Sequence, residues 1–577
     1  MSQAIIEFVR EWLFVLSALF AFGICGLGFL VNIAGPDRMQ VFAAPLIGML
    51  VVPFGTNTLY SLLQIEYSRA ALMSAICCVI LTSLRLRRYF AKSLPSAGSL
   101  YFGAFAALVS ALAVLTNDAA TLGAHGPAFF YFDGSDHGGY AHLADWLGNH
   151  TVKTLPIGSP DRPYESWPAL LFAIDVRFGA FGLLEIMAQL NRTSAIFAYD
   201  PACAVILSAA ALGVAGVFAR TPSAFVFLTL GLFVSHWFDY AHGGYFGKII
   251  AYPAALVVAG LVLRAMPKVT VENLVVLACI AAAMGIMHSG AGSAFLMIPI
   301  LGVSIAAIAV WRRDNIQLST AILLCGTIVA LPIVAAGLSA RPVGAGYPDY
   351  SLTWTYVWPR LLDLENQGVA ISGISPSWLL SYFALTLAIW AVLLGIAILA
   401  RSVAAVGLLG GPAILLLVLT ITGANALTFQ LIGYFYPATL CGAFVVLAEV
   451  PRRTLSVLAL IVLMIGQVLP RFAGAVDRYA LHQNQRYVFT AAEIDRIAGH
   501  IGAQAVEIDV PDVLPAIFLL VELGRRKLNL QYSDQTWNTL FRYRGWTPPV
   551  QQTKPELVLR QTDPTAIDHF EIESRHQ

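Results

Sequence analysis

Long apolar stretches separated by short polar connections fill most of the chain. They are centred near residues 22, 52, 75, 108, 207, 228, 255, 279, 300, 327, 388, 413, 437 and 463. Each supplies about 20 apolar positions, enough to cross the hydrocarbon core of a bilayer. Lipid offers no partner to a backbone amide, so such stretches predict helices. The second, 41–63, is interrupted by Pro53, Gly55, Asn57 and Thr58. The first, "EWLFVLSALFAFGICGLGFLVNIAG", follows Glu7 and Arg10 and is succeeded by many others, so it reads as a retained span. The expected fold is an all-α polytopic membrane protein with about 13–14 transmembrane helices.

The pattern changes near residue 476. "TAAEIDRIAGHIG" has helical spacing, "AVEIDV" reads as a strand, "VLPAIFLLVELG" as a helix and "KLNLQYS" as a strand. The apolar run around Ile517 is short for a membrane helix and suits a buried one. The predicted organisation is therefore 1–116 (N-terminal spans), 117–195 (a long loop), 196–475 (a helix bundle) and 476–577 (a small α/β domain).

Composition agrees. The chain has 577 residues, 58% hydrophobic and 12% charged, and a mean hydropathy of +0.74. A soluble domain carries roughly twice that share of charge. A net charge of +1 argues against nucleic acid as a partner. The seven cysteines all lie in apolar runs, which indicates neither a disulfide framework nor a cysteine metal site.

Basic residues orient the spans, because lysine and arginine accumulate on the cytoplasmic side. The basic connections are "RLRRYFAK" (85–92), Arg220, Arg264 with Lys268, "WRRD" (311–314), Arg401 and "PRR" (451–453). With these inside, the loops 117–195, 236–248, 288–292 and 339–375 and the tail after about 471 fall outside. The alternation requires an even number of crossings within 117–195. Its apolar segment 166–190 carries Asp175, Arg177 and Glu185, and is expected to lie along the outer interface.

The polar residues that could carry chemistry then share one face. "FDGSDHGGYAHLADWL" (132–147) holds Asp133, Asp136, His137, Tyr140 and His142. "HWFDYAHGGYFGK" (236–248) adds His236, Asp239, His242 and Lys248. His288 ends a span, and the aromatic loop 339–375 holds Asp349, Arg360 and Asp363. Polar groups at span ends are costly unless used or solvated. Asp133 or Asp136 could simply cap the helix that follows. Either could instead act as a general base, or hold a metal with His137. Arg360 suits either interface anchoring or a phosphate, which a guanidinium binds bidentately.

This layout resembles the GT-C class of integral-membrane glycosyltransferases, in which an outer loop with an acidic motif precedes membrane-surface helices, many spans and often an extracytoplasmic C-terminal domain. "DHGGYAHLA" (136–144) is similar to the acidic motif, and 166–190 to the surface helix. Two features depart from the pattern: four spans precede the loop, and Gly138 and Gly139 replace bulkier residues. The resemblance implies sugar transfer from a polyprenyl-phosphate donor to a glycan, lipid or protein acceptor. Asp136 or Asp133 would be the base. His137, Tyr140, Asp239, His242, Lys248, His288 and Arg360 would contact substrate, with a divalent cation at Asp133, Asp136 and His137 as a further option. It also implies a multi-pass protein of a bacterial inner membrane, with its site and its α/β domain on the periplasmic side. The alternative from another class is a transporter or flippase, which needs ionisable groups near the membrane midplane. An acyltransferase based on His288 would leave the acidic loop without a role, and a non-catalytic scaffold would leave the polar convergence unexplained.

Overall fold

The computed structural model describes residues 2–31, 33, 39–90, 98–118, 121–122, 126–131, 136–151, 159–165, 168, 178–233, 235, 246–267, 269–287, 290–311, 315–339, 376–421, 425–449, 487–541, 555–562 and 570–575. The N-terminal helices are α1 (Ser2–Leu30), α2 (Ala44–Leu63), α3 (Tyr67–Phe90) and α4 (Gly98–Asn117). Strand β1 (Ala128–Tyr131) and helices α5 (Asp136–Asn149) and α6 (Phe178–Asn191) follow. Next come α7 (Tyr199–Phe218), α8 (Pro222–Phe233), α9 (Phe246–Ala265), α10 (Val271–Gly285), α11 (Gly290–Trp311) and α12 (Asn315–Ser339). The bundle ends with α13 (Pro376–Leu399), α14 (Val403–Ile421) and α15 (Asn425–Glu449). Helices thus stand at every expected centre from residue 22 to residue 437. The centre near 463 lies outside the described residues.

Among the described residues, 7 helices are long and apolar enough to cross a membrane: Gln3–Leu30, Gln40–Leu63, Tyr67–Leu86, Tyr199–Phe218, Phe246–Ala265, Ala294–Trp311 and Gln317–Ala335. Two of these, α7 and α9, are surrounded by protein, whereas α3 and α12 expose apolar side chains such as Leu72, Ile76, Ile322 and Leu323. The interrupted second stretch is one continuous helix. Beside Pro53, the hydroxyls of Thr56 (2.7 Å) and Ser74 (2.9 Å) both donate to the Val52 carbonyl.

Contacts at the helix ends give the direction of each helix. At one end Arg85 Nη1 donates to Gly28 O (2.7 Å) and lies 3.6 Å from Glu272, while Arg264 donates to Val217 O. The C-terminal ends of α1, α3, α7 and α9 and the start of α10 therefore share this basic end. At the other end, Asn117 Nδ2 of α4 donates to Asp200 O of α7 (2.8 Å), and Tyr60 Oη of α2 donates to His150 O (3.2 Å). Segment 117–195 leaves α4 and joins α7 at the same end of the bundle, so it makes no net crossing.

The C-terminal unit comprises β2 (Tyr487–Thr490), α16 (Ala491–Ile501), β3 (Val506–Asp509), α17 (Val513–Arg525), β4 (Leu530–Tyr532), α18 (Asp534–Phe541), β5 (Leu557–Gln561) and β6 (Phe570–Ser574). Its sheet has the order β4-β3-β5-β6, with β3 parallel to β4 and β5, and β6 antiparallel to β5. The run around Ile517 is buried, as its length suggests. Strand β2 leaves this sheet and pairs antiparallel with β1, Ala128 opposite Thr490 and Tyr131 opposite Tyr487. The unit is thereby joined to segment 117–195, and both occupy one end of the molecule.

Candidate functional site at the loop end of the bundle

Helices α5, α6, α7 and α9 all begin at this end, and their opening turns touch. Tyr140, nearly fully buried, packs its ring on Phe181 (centroids 4.9 Å apart) and Phe246 (5.9 Å). Its hydroxyl accepts a hydrogen bond from the Gly247 amide at 3.4 Å. Phe246 meets Tyr199 at 5.3 Å, and Tyr199 meets Phe129 of β1 at 6.1 Å. The Gly179 amide donates to Ile286 O (3.0 Å), which brings the end of α10 to the same place.

Three sequence-predicted residues head these helices. Asp136 is the first residue of α5, and His137 follows it. Lys248 is the third residue of α9 and is buried. Helix α5, whose opening turn contains the first HGGY, and helix α9, which follows the second, therefore meet at their opening turns. Asp133, Asp239, His242, His288 and Arg360 lie outside the described residues, as do the side chains of Asp136 and His137. The cation option at Asp133, Asp136 and His137 thus also lies outside them.

A helix N-terminus carries unpaired amides and the positive end of the helix dipole. Two of these amides are taken, Gly247 by Tyr140 and Gly179 by Ile286; the positive helix ends, with a buried lysine, suit an anion such as phosphate. Asp200, buried in the first turn of α7, offsets part of this positive field. Its neighbours Asp118 and Glu11 are buried as well, and burial raises the Asp118 carboxyl well above its usual range.

Gly138 has a specific reason to be glycine. A Cβ at this position would overlap Cγ2 of Ile517, so the bare backbone admits α17 of the C-terminal unit against the first turn of α5. Farther along α5, Gly148 has Glu185 of α6 pressed against it, and a Cβ there would overlap the carboxyl.

In the described portion of the 166–190 segment, α6, the charged residue is buried: Glu185 is 7% exposed and sits between α5 and α3. Helix–helix packing over Gly148 leaves no water-facing position for this side chain.

Around Glu185 stands a polar cluster that reaches α5 beyond its first HGGY, at His142 and Asp145. Asp145 Oδ1 accepts from the Ala195 amide (3.1 Å), and Glu522 Oε1 of α17 accepts from Ser194 Oγ (2.6 Å). Arg525 pairs with Glu522 at 3.2 Å. Burial, reinforced by the Glu522 charge, pushes the Asp145 carboxyl up to about 7. Burial and the Asp145 charge push Glu185 up to about 8, although Gln189 donates to it at 2.7 Å. Tyr164 touches this group and is raised above the usual phenol range, chiefly by burial. His142, its ring 4.4 Å from that of Tyr164, is pushed down to about 3 by burial and is therefore neutral. A usable signal existed in the sequence: Glu522 interrupts "FLLVELG", and Asp145 and Glu185 likewise stand in apolar helical runs.

No protein-family model matches the chain, and no curated protein matches it.

Proposed function

We propose that the protein is a membrane-embedded glycosyltransferase of GT-C type that takes a sugar from a polyprenyl-phosphate donor. The supporting observation is the meeting of the α5 and α9 opening turns, with Tyr140 bonded to Gly247 and Lys248 buried beside it. The donor phosphate would sit against these helix N-termini, with its lipid chain among the apolar helices. The acceptor, a glycan, lipid or protein hydroxyl, would approach from the loop end. Asp136 would take the hydroxyl proton as its oxygen attacks the anomeric carbon. The bond from that carbon to the phosphate oxygen breaks, and polyprenyl phosphate leaves with the electron pair. Lys248 and the amides would stabilise that leaving charge.

One observation favours the transporter reading: Glu11 in α1, Asp118 and Asp200 form a buried acidic group among the helices. Ionisable residues inside a membrane bundle commonly mark a transport path.

Purified protein in lipid nanodiscs, supplied with polyprenyl-phosphate sugars and a glycan or lipid acceptor, separates the two. Wild type should release polyprenyl phosphate. Asp136→Asn should fold normally, because asparagine is nearly isosteric with aspartate and has a similar helix propensity. Its rate should fall by about a hundredfold or more, as expected when a general base is lost. Undiminished transfer by Asp136→Asn would remove Asp136 as the base. If wild type transfers nothing but moves lipid-linked sugar across proteoliposomes, the protein is a transporter.

A further inference from the structure

The interface between α5 and α17 holds an uneven set of charges. Asp145, Glu185 and Glu522 are all at least nine-tenths buried, and Arg525 is the cation paired among them. Among the described residues, three ionised carboxylates would face one guanidinium, an excess of negative charge out of water that is costly unless protons are taken up. The geometry says where they reside. Asp145 and Glu522 bind adjacent residues, the first through the Ala195 amide and the second through the Ser194 hydroxyl. Glu522 has Ser194 and Arg525 as donors. Asp145 Oδ2 is buried with no hydrogen-bond partner among the described residues. Glu185 holds one proton to about pH 8, and the Asp145 oxygen is the place for a second.

The same two helices carry the contact between Ile517 and Gly138, two residues after Asp136. Gly524 of α17 closes on the Tyr164 ring at the far end of the interface. The docking of α17 therefore bears on the turn that begins with Asp136.

We propose that Asp145 and Glu522 form a protonation-dependent latch that holds the C-terminal α/β unit against α5 and thereby positions the turn headed by Asp136. The latch does not depend on the transfer reaction proposed above. The groups facing Asp145 are His142 on its own helix, Tyr164 from segment 159–165, Glu185 from α6 with Tyr67 of α3 behind it, and Glu522 and Arg525 from α17. His142 and Glu185 also titrate, so the experiment has to isolate Asp145.

The sign follows from the Asp145 carboxyl, which is raised when docked. An undocked carboxyl loses its proton near pH ~3.9, while the docked one keeps it to about 7. The docked state binds the extra proton between these limits, so docking weakens as pH rises through the window and is level above it.

The test uses the full-length protein in nanodiscs with Ile517→Cys as a reporter. Maleimide labelling of this buried site is read at peptide level and divided by the rate for a model thiol at the same pH, giving the open fraction. Native Asp145 and Asp145→Asn are both measured in a Glu185→Gln background, because the Asp145 charge shifts Glu185; the ratio of their open fractions, native Asp145 over Asp145→Asn, then cancels what His142 contributes to both. That ratio should rise by about tenfold per pH unit up to about pH 7 and then level off. Glu522→Gln removes the facing negative charge and frees Arg525 to meet Asp145, so the break in the curve should move to lower pH. If Ile517→Cys itself opens the interface, Ala516→Cys serves as the reporter. A ratio that stays constant from pH 5 to 9 overturns the latch, and so does a break that Glu522→Gln leaves unmoved.

Discussion

Gly138→Ala sets a methyl group where Cγ2 of Ile517 already stands. Ile517 is β-branched and buried, so its side chain has little rotameric freedom to yield. Overpacking of this kind costs about 1–3 kcal/mol. Replacing glycine by alanine inside a helix returns up to about 1 kcal/mol. The net loss, about 0–2 kcal/mol, is too small to be diagnostic by itself. Coupling is diagnostic. In the native background Ile517→Ala removes a buried side chain and should cost about 2–5 kcal/mol. After Gly138→Ala, the new methyl fills part of the vacated space, and the same truncation should cost about 0.5–3 kcal/mol less. Titrating the four species with SDS in mixed micelles measures each unfolding free energy. Additivity within about 0.5 kcal/mol would refute the close approach of α17 to α5.

Two further predictions concern the same end of the molecule. His142 is neutral in the fold down to about pH 3, while in an unfolded chain it gains a proton below pH ~6.5, so its burial lowers stability as pH falls through that window. His142→Phe keeps a ring against Tyr164 and should remove this acid-side loss; SDS titrations at pH 6.5 and 4.5 with an unchanged difference would contradict the assignment. Thr490 Oγ1 accepts from the Glu493 amide at 3.1 Å and caps α16 at the point where β2 ends. Thr490→Ala should cost about 1 kcal/mol and Thr490→Ser much less, by the same titration; equal losses in both would mean that the hydroxyl is not what matters.

The helices were legible because their signal is local. An apolar run of about 20 residues predicts a helix whatever surrounds it, and even Pro53 did not break α2. The strands at 506–509 and 530–532 were legible for the same reason. Strands β5 and β6 were not, since "LVLRQ" and "FEIES" are short and mixed, and gain their place only by pairing with each other and β3. The pairing of β1 with β2 joins residues about 360 positions apart, and nothing in either sequence names the other. Of the proposed site, the sequence indicated that the HGGY regions share one face. The direct contact, of Tyr140 with Phe246 and Gly247, depends on how α5 and α9 pack.

Glu185 shows most clearly where reading by composition stops. A carboxylate in an apolar helix suggests a helix lying at an interface with its charge toward water. The alternative is a protonated carboxyl buried inside the protein, which has the same sequence signature. Packing chooses between them: Gly148 offers a bare surface that admits the Glu185 side chain, and Gln189 one turn away supplies a donor. Asp145 then raises the cost of ionising it, as Glu522 does for Asp145, because each added carboxylate in a shared dry space works against its neighbour. An acid that interrupts an apolar run becomes interpretable only with its partners. Here those partners are a glycine and an aspartate of α5, and the aspartate in turn faces Glu522 from a unit more than 300 residues away in sequence. The same side chains that hide the cluster from a linear reading also make the docking of the C-terminal unit sensitive to protons.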